Sequence, residues 1–142
     1  MKLVLAGAAV LAAAGIGYVL MGSGPKQAAI PDENAPKALV EIVLPAEMSA
    51  NAQIGKTAFD AKCAACHGIN AVGLEGLAPP LVHIIYEPSH HGDESFQLAV
   101  VQGVRSHHWR FGNMPPVEGL TRGDVTMILA YVRELQRANG IH

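Results

Sequence analysis

Apolar and polar positions divide the chain into three parts. A run of twenty uncharged residues, 3–22, is long enough to cross a bilayer as a helix. Residues 24–48 contain four prolines and a polar middle, which predicts an extended tether. The remainder has helical periodicity at both ends and a loop-rich centre. We therefore predict a transmembrane helix at 1–23, a tether at 24–48 and a folded domain at 49–142.

The N-terminal run has two interpretations. A cleaved secretory signal has a shorter apolar core and a small-residue cleavage site, and no convincing site precedes the polar segment, which favours an uncleaved signal-anchor. Lys2 is the one charge before the run, so the positive-inside rule places the N-terminus in the cytoplasm. We expect the anchor in a bacterial inner membrane and the folded domain in the periplasm.

One stretch of the tether, 38–44, is too apolar for a pure linker. We expect it to pack as an extended segment against the folded domain, with pairing to a partner protein as the alternative.

Two helices are predicted at the ends of the folded domain. The first begins after Ser49 as N-cap and runs to about Lys62, with apolar residues on one face. The last runs from about Arg122 to Ala138, behind a capping-box-like pair at Thr121 and Asp124. The expected apolar face of the first helix is Ile54, Ala58 and Ala61, and that of the last is Val125, Ile128, Leu129, Val132 and Leu135.

A shorter helix is predicted between them. Asp93 can cap a helix from about Glu94 to Gln102, which Gly103 terminates. Its inward-facing residues are expected to be Phe96, Ala99 and Val100.

The candidate chemistry lies just after the first helix, in Cys63-Ala64-Ala65-Cys66-His67. This spacing is the attachment pattern for c-type haem, in which each thiol adds to one vinyl group and the histidine becomes an axial ligand of the iron. A redox dithiol also uses C-x-x-C, but in a βαβ context that is not visible here. A zinc site could combine Cys63 and Cys66 with histidines, although none has the usual spacing. The histidines considered for that site are His83, His90, His91, His107 and His108.

The domain from about residue 50 onward resembles the class I cytochromes c. Gly55 and Phe59 lie eight and four residues before Cys63, where that family carries a small residue and an aromatic. The resemblance implies an all-α class I cytochrome c fold around one covalent haem c. It also implies that Gly55 lets the last helix cross closely, that Phe59 packs beside the haem, and that Tyr131 is the aromatic by which the last helix meets the first.

The resemblance further implies roles for three residues around the haem. Pro79 lies twelve residues after His67, where the family has a proline carbonyl that holds the histidine ring, and Leu81 is then expected to line the pocket. Met114, in a loop before the last helix, matches the family's second axial ligand. His107 or His108 is the main competitor, which would give a bis-histidine haem.

Polar residues in the central loops suggest further contacts. Arg105, Trp109 and Arg110 offer the donors that two haem propionates require, with an exposed loop as the alternative. We interpret His83, His90 and His91 as surface or loop residues, and the sequence leaves open whether the histidines bind a metal or dock a partner.

Charge restricts the function classes. The chain has 10 Lys and Arg against 12 Asp and Glu, with no basic patch to indicate nucleic acid binding. No general base, nucleophile or phosphate loop is evident, so we expect an electron-transfer protein rather than an enzyme, without a small-molecule substrate.

By resemblance, its partners would be a quinol-oxidising cytochrome complex or a dehydrogenase as donor, and a terminal oxidase or reductase as acceptor. A fixed haem subunit of a larger membrane oxidoreductase, and a haem sensor or peroxidase-like protein, are the alternatives.

Overall fold

All regular elements in the described part of the chain are helical. The structure is a computed structural model and describes residues 35–142. It contains four α-helices: α1 (Ala50–Lys62), α2 (Ala64–His67), α3 (Asp93–Gln102) and α4 (Arg122–Ala138). Two 3-10 turns, Ile69–Ala71 and Ile84–Tyr86, lie in the loops, and β-pairing among these residues is limited to isolated bridges. The predicted transmembrane helix lies outside the described residues, and none of the helices within 35–142 combines the length and apolarity that a membrane span requires.

Helix α1 begins as predicted. The Ser49 hydroxyl accepts a hydrogen bond from the Ala52 N–H at 3.2 Å, which satisfies one free donor of the first turn. The buried face consists of Ala52, Gly55 and Phe59.

The predicted apolar face of α1 was wrong. Ile54 is 58% exposed, Ala61 is exposed and Ala58 is only half-buried. Helix α4 packs on the opposite side, so the small surface at Gly55 turns inward and the larger Ile54 side chain points to solvent. The position of a neighbouring helix, not the local pattern, selects which face is buried.

The core of the fold is the crossing of α1 and α4. A Cβ atom at Gly55 would lie 1.8 Å from the Met127 carbonyl oxygen, so the two backbones meet at a distance that only glycine permits. One turn further along, the Phe59 and Tyr131 rings pack edge to face with centroids 5.6 Å apart. Both predicted features of this crossing are present in the structure.

Helix α4 also agrees with its sequence pattern. The Thr121 hydroxyl accepts from the Asp124 N–H, and the Asp124 carboxylate accepts from the Thr121 N–H, which completes a capping box. All five residues of the predicted stripe are buried: Val125, Ile128, Leu129, Val132 and Leu135.

Helix α3 differs from its prediction at the first residue. Gly92 is the N-cap, and Asp93 is already helical. The Asp93 carboxylate accepts from Arg133 Nε at 3.0 Å instead of capping its own helix. Gly103, with φ 75°, ends the helix as expected. The Asp93 carboxylate therefore serves a long-range ion pair to α4 and not the cap of its own helix.

Arg133 is a buried residue of α4, and it attaches the loop that precedes α3 to this helix. Its guanidinium donates to the carbonyl oxygens of Tyr86 at 2.7 Å and His91 at 2.6 Å, besides its bond to Asp93. It also donates to Gln136 Oε1 at 2.6 Å. Four acceptors satisfy the buried cation, which is the condition for placing a charge in the interior.

The apolar segment 38–44 packs in extended form on the domain, as expected. The N–H groups of Leu39 and Val40 donate to the carbonyls of Gly73 and Val72, each at 3.3 Å. At the other end of the segment, the Asn139 side chain makes two 2.8 Å hydrogen bonds with the backbone of Val43.

Candidate haem-binding site

The two cysteines and the histidine lie on one turn. Cys63 ends α1 and begins α2, and its carbonyl accepts from the N–H groups of Cys66 at 3.1 Å and His67 at 2.9 Å. Cys63 and His67 are half-buried, and Cys66 is exposed. This turn gives both thiols and the imidazole access to the same cavity.

The His67 ring is held by the carbonyl of Pro79. Its Nδ1 lies 2.9 Å from the Pro79 oxygen, and since a carbonyl can only accept, Nδ1 carries the proton. Nε2 is then left with its lone pair for a metal. Burial lowers the pKa of His67, partly offset by the Pro79 bond, and the lower pKa favours the neutral form of the ring, which can bind a metal.

A tight loop brings Pro79 back to His67. The Gly73 N–H donates to the His67 carbonyl at 2.7 Å, and a Cβ at Gly73 would lie 2.4 Å from the Pro80 nitrogen. Gly73 has φ 70°, so both its conformation and its surroundings require glycine. The Gly-rich stretch after the haem motif thus has a definite role in orienting the His67 ring.

The residues of the motif open into an apolar cavity of about 580 Å³. This volume is within the range of cofactor sites. Seven of the nine predicted site residues line it: Cys63, Cys66, His67, Pro79, Leu81, Trp109 and Met114. Apolar side chains from α1, α3 and α4 form the walls, among them Phe59, Phe96, Val100, Ile128 and Leu129.

Met114 is positioned by backbone pairing. Its N–H and carbonyl exchange hydrogen bonds with Val104 at 3.0 and 2.9 Å. Gly103 permits this approach, because a Cβ there would lie 2.5 Å from the Met114 oxygen. Met48 and Met127 do not line the cavity, so Met114 is the described methionine that is available to a group bound there.

Of the three predicted propionate donors, only Trp109 faces the cavity. Its indole Nε1 is buried and lacks a hydrogen bond of regular geometry among the described residues, although the Tyr86 side chain lies near it. A buried donor without an acceptor is costly, and a haem carboxylate would supply the acceptor. Arg105 and Arg110 are exposed and do not belong to the lining. The cavity, its thiols and this donor together fit a covalently attached haem.

The structure disfavours the two alternatives for the cysteines. A redox dithiol needs a thiolate at neutral pH, but burial, followed by the neighbouring Cys66, raises the pKa of Cys63 to about 11. A zinc site at the cysteines is not formed by the described residues either. Within residues 35–142, the group of side chains close enough together to hold a metal ion consists of His90, His91 and His108, and it includes neither cysteine.

Sequence reasoning missed Tyr86, Asn113 and His91, which face the cavity although His91 was expected to be a surface or loop residue. His107 and His108, which the sequence offered as alternative axial ligands, also line it. The pKa of His108 lies below its ordinary value because of desolvation and the nearby His107, His91 and His90. Clustering of histidines in the sequence was the available signal, but their meeting across two loops was not predictable from it.

A second depression, an open groove of about 740 Å³, lies between residues 43–49 and the end of α4. It contains no cysteine or histidine, and Glu134 and Arg137 are its charged residues on α4. Met48 also lines it, but the groove has no thiol to attach a haem and no imidazole to ligate its iron.

Comparison with protein families supplies an independent finding. Residues 52–136, more than half of the chain, match the model of the cytochrome c family. No curated protein matches the chain significantly. The match covers the haem motif, the Met114 loop and most of the α1–α4 crossing. Together with the helical fold, it shows that this chain belongs to the cytochrome c family and is an electron-transfer protein with covalently bound haem c.

Proposed function

We propose that this protein carries single electrons by means of one haem c with His67 and Met114 as axial ligands, while tethered to a bacterial inner membrane. The observation that carries the proposal is one apolar cavity lined by the two motif cysteines, His67 and Met114. When bound, haem c supplies an iron centre that accepts and releases one electron.

The residues of the chain suit such a carrier. Cys63 and Cys66 would hold the haem by thioether bonds, and His67 presents Nε2 because Pro79 occupies its other nitrogen. A thioether ligand from Met114 favours a higher reduction potential than a second histidine. The apolar walls exclude water, which limits solvent rearrangement around the changing charge.

The membrane attachment rests on the uncharged run at 3–22 and is part of the proposal. A tether would keep the haem domain near membrane partners and raise its effective concentration there. We propose a quinol-oxidising cytochrome complex or a dehydrogenase as donor, and a terminal oxidase or reductase as acceptor. Membrane fractionation of the full chain tests this part: recovery of the haem protein in the soluble periplasmic fraction refutes the anchor.

The axial pair is tested by the absorption spectra of the full chain with its haem. We expect the oxidised wild type to show the weak methionine-to-iron band at the red end of the spectrum. Met114→Leu should remove the band, since leucine keeps the volume but lacks sulfur. Met48→Leu is the matched control, because Met48 lies outside the cavity and should retain the band.

His107 and His108 are the specific competitors, since both line the cavity. A bis-histidine haem would lack the band in the wild type, and His107→Gln or His108→Gln would then change the low-spin spectrum. That outcome refutes Met114 as the ligand. Carbon monoxide binding to the reduced wild type would instead indicate an open position and favour a sensor or enzyme.

A further inference from the structure

Four histidines from two separate loops meet at the edge of the haem cavity. His90 and His91 precede α3, and His107 and His108 lie in the loop before Met114. The ring centroids of His90, His91 and His108 are 4.7, 5.3 and 5.2 Å apart in pairs. One potential ligand atom from each of these three residues lies within 4.8 Å of the other two. We propose that His90, His91 and His108 bind a divalent transition-metal ion, Zn²⁺ or Cu²⁺, separately from the haem iron.

His91 is already arranged as a metal ligand. Its Nδ1 lies 2.6 Å from the Ile85 carbonyl oxygen, which can only accept, so Nδ1 carries the proton and Nε2 keeps its lone pair. This second bond is the arrangement that orients metal-binding histidines in proteins. The backbone is held as well, because the His91 N–H donates to the Glu87 carbonyl at 2.8 Å and the His91 carbonyl accepts from Arg133.

The other two ligands can close on the ion with small movements. In a tetrahedral site with metal–nitrogen bonds of about 2.05 Å, two ligand nitrogens lie about 3.3 Å apart. The potential ligand atoms of the three histidines lie within 4.8 Å of one another, so they must move closer together to bind an ion. His90 and His108 are exposed, so rotation about their side-chain torsions can shorten the separations without disturbing a packed core. The site thus combines one fixed ligand with two adjustable ones.

The donor set determines the class of metal. Three neutral imidazoles suit zinc and copper, whereas calcium and magnesium prefer oxygen ligands. His107 can become the fourth ligand, because the centroids of its ring and that of His108 are 4.3 Å apart. The Nδ1 atom of His107 lies 2.9 Å from the Arg105 carbonyl oxygen, which leaves Nε2 free for the metal. Water can occupy the same position.

Titration of the full chain, with its haem attached, tests the site. ZnCl₂ is added in a calorimeter, and Cu²⁺ is added in a parallel experiment read by electron paramagnetic resonance. We expect one Zn²⁺ per chain and nitrogen hyperfine structure from bound Cu²⁺. His90→Gln and His108→Gln should each weaken Zn²⁺ binding at least tenfold. His142→Gln, at an exposed histidine outside the cluster, should leave it unchanged.

Three outcomes overturn the proposal. The first is absence of Zn²⁺ and Cu²⁺ binding to the wild type. The second is binding whose affinity neither His90→Gln nor His108→Gln reduces. The third is a change in the haem spectrum of His108→Gln like that expected for Met114→Leu, because the histidine would then serve the haem. Haem spectra recorded on the same samples verify that each variant is folded. Metal affinity is measured independently of these spectra, so failure of the histidine site can be distinguished from failure of the proposed axial pair.

Discussion

Replacing Gly55 by alanine tests the helix crossing that organises the fold. The added Cβ would lie 1.8 Å from the Met127 carbonyl oxygen and 2.9 Å from the Ile128 nitrogen. Both are backbone atoms of α4, so no flexible side chain can move aside. To restore ordinary contact the helices must separate by roughly 1.5 Å, which also loosens the packing of Phe59 on Tyr131.

The size of the effect follows from two opposing contributions. Overpacking of a close interface costs about 1–3 kcal/mol, and the accompanying loss of contacts adds to it. Alanine in place of glycine in a helix contributes about 1 kcal/mol in the other direction. We therefore expect Gly55→Ala to lower the free energy of unfolding by about 1–2 kcal/mol.

Guanidinium unfolding of the haem-loaded chain, followed by far-ultraviolet circular dichroism, measures this difference. Gly123→Ala is the matched control, because Gly123 is also helical but a Cβ there would meet only the Thr121 hydroxyl, at 3.6 Å. The control should leave stability unchanged or raise it by up to about 1 kcal/mol. If Gly55→Ala remains within about 0.5 kcal/mol of the wild type, the close-crossing explanation is refuted.

Two further variants test the interior. Burial, with a smaller effect of Asp60, raises the pKa of Tyr131 to about 12. The unfolded chain loses this proton above about pH 10, before the folded chain does, so stability should fall between pH 10 and 12. Tyr131→Phe should show a smaller decline, because only the raised pKa of Tyr86 then remains among the described tyrosines, and should cost about 1 kcal/mol at pH 7 through the lost 2.9 Å bond to Asn70; an unchanged decline contradicts the assignment. Arg133→Met should cost about 3–5 kcal/mol in denaturant unfolding by leaving its acceptors unpaired, and a loss below about 1 kcal/mol contradicts that role.

Local sequence patterns predicted what depends on neighbouring residues along the chain. The capping box of α4 and the Ser49 cap of α1 each involve side chains that reach only three residues. The haem motif is local too, because its three functional residues share one turn. The residues of the apolar stripe of α4 lie on one face of the helix, so the pattern alone predicted which face is buried.

The close crossing at Gly55 and the Pro79 contact were predicted in a different way. A glycine inside a helix and a proline in a loop are ambiguous by themselves, and their meaning came from their distances to the haem motif in the class I pattern. The contacts then found, at Met127 and at His67, are long-range, and composition or periodicity would not have revealed them.

Tertiary structure alone decided the features that depend on partners distant in sequence. Ile54 lies outside and Gly55 inside because α4 occupies one side of α1. The Asp93 carboxylate pairs with Arg133, forty positions away, instead of capping α3. The meeting of His90 and His91 with His108 likewise requires two loops to fold against one another. Sequence determined the helices and the haem-binding chemistry, since both are encoded over a few residues. The fold selected the buried faces and assembled the histidine cluster, because such contacts exist only after distant segments have packed together.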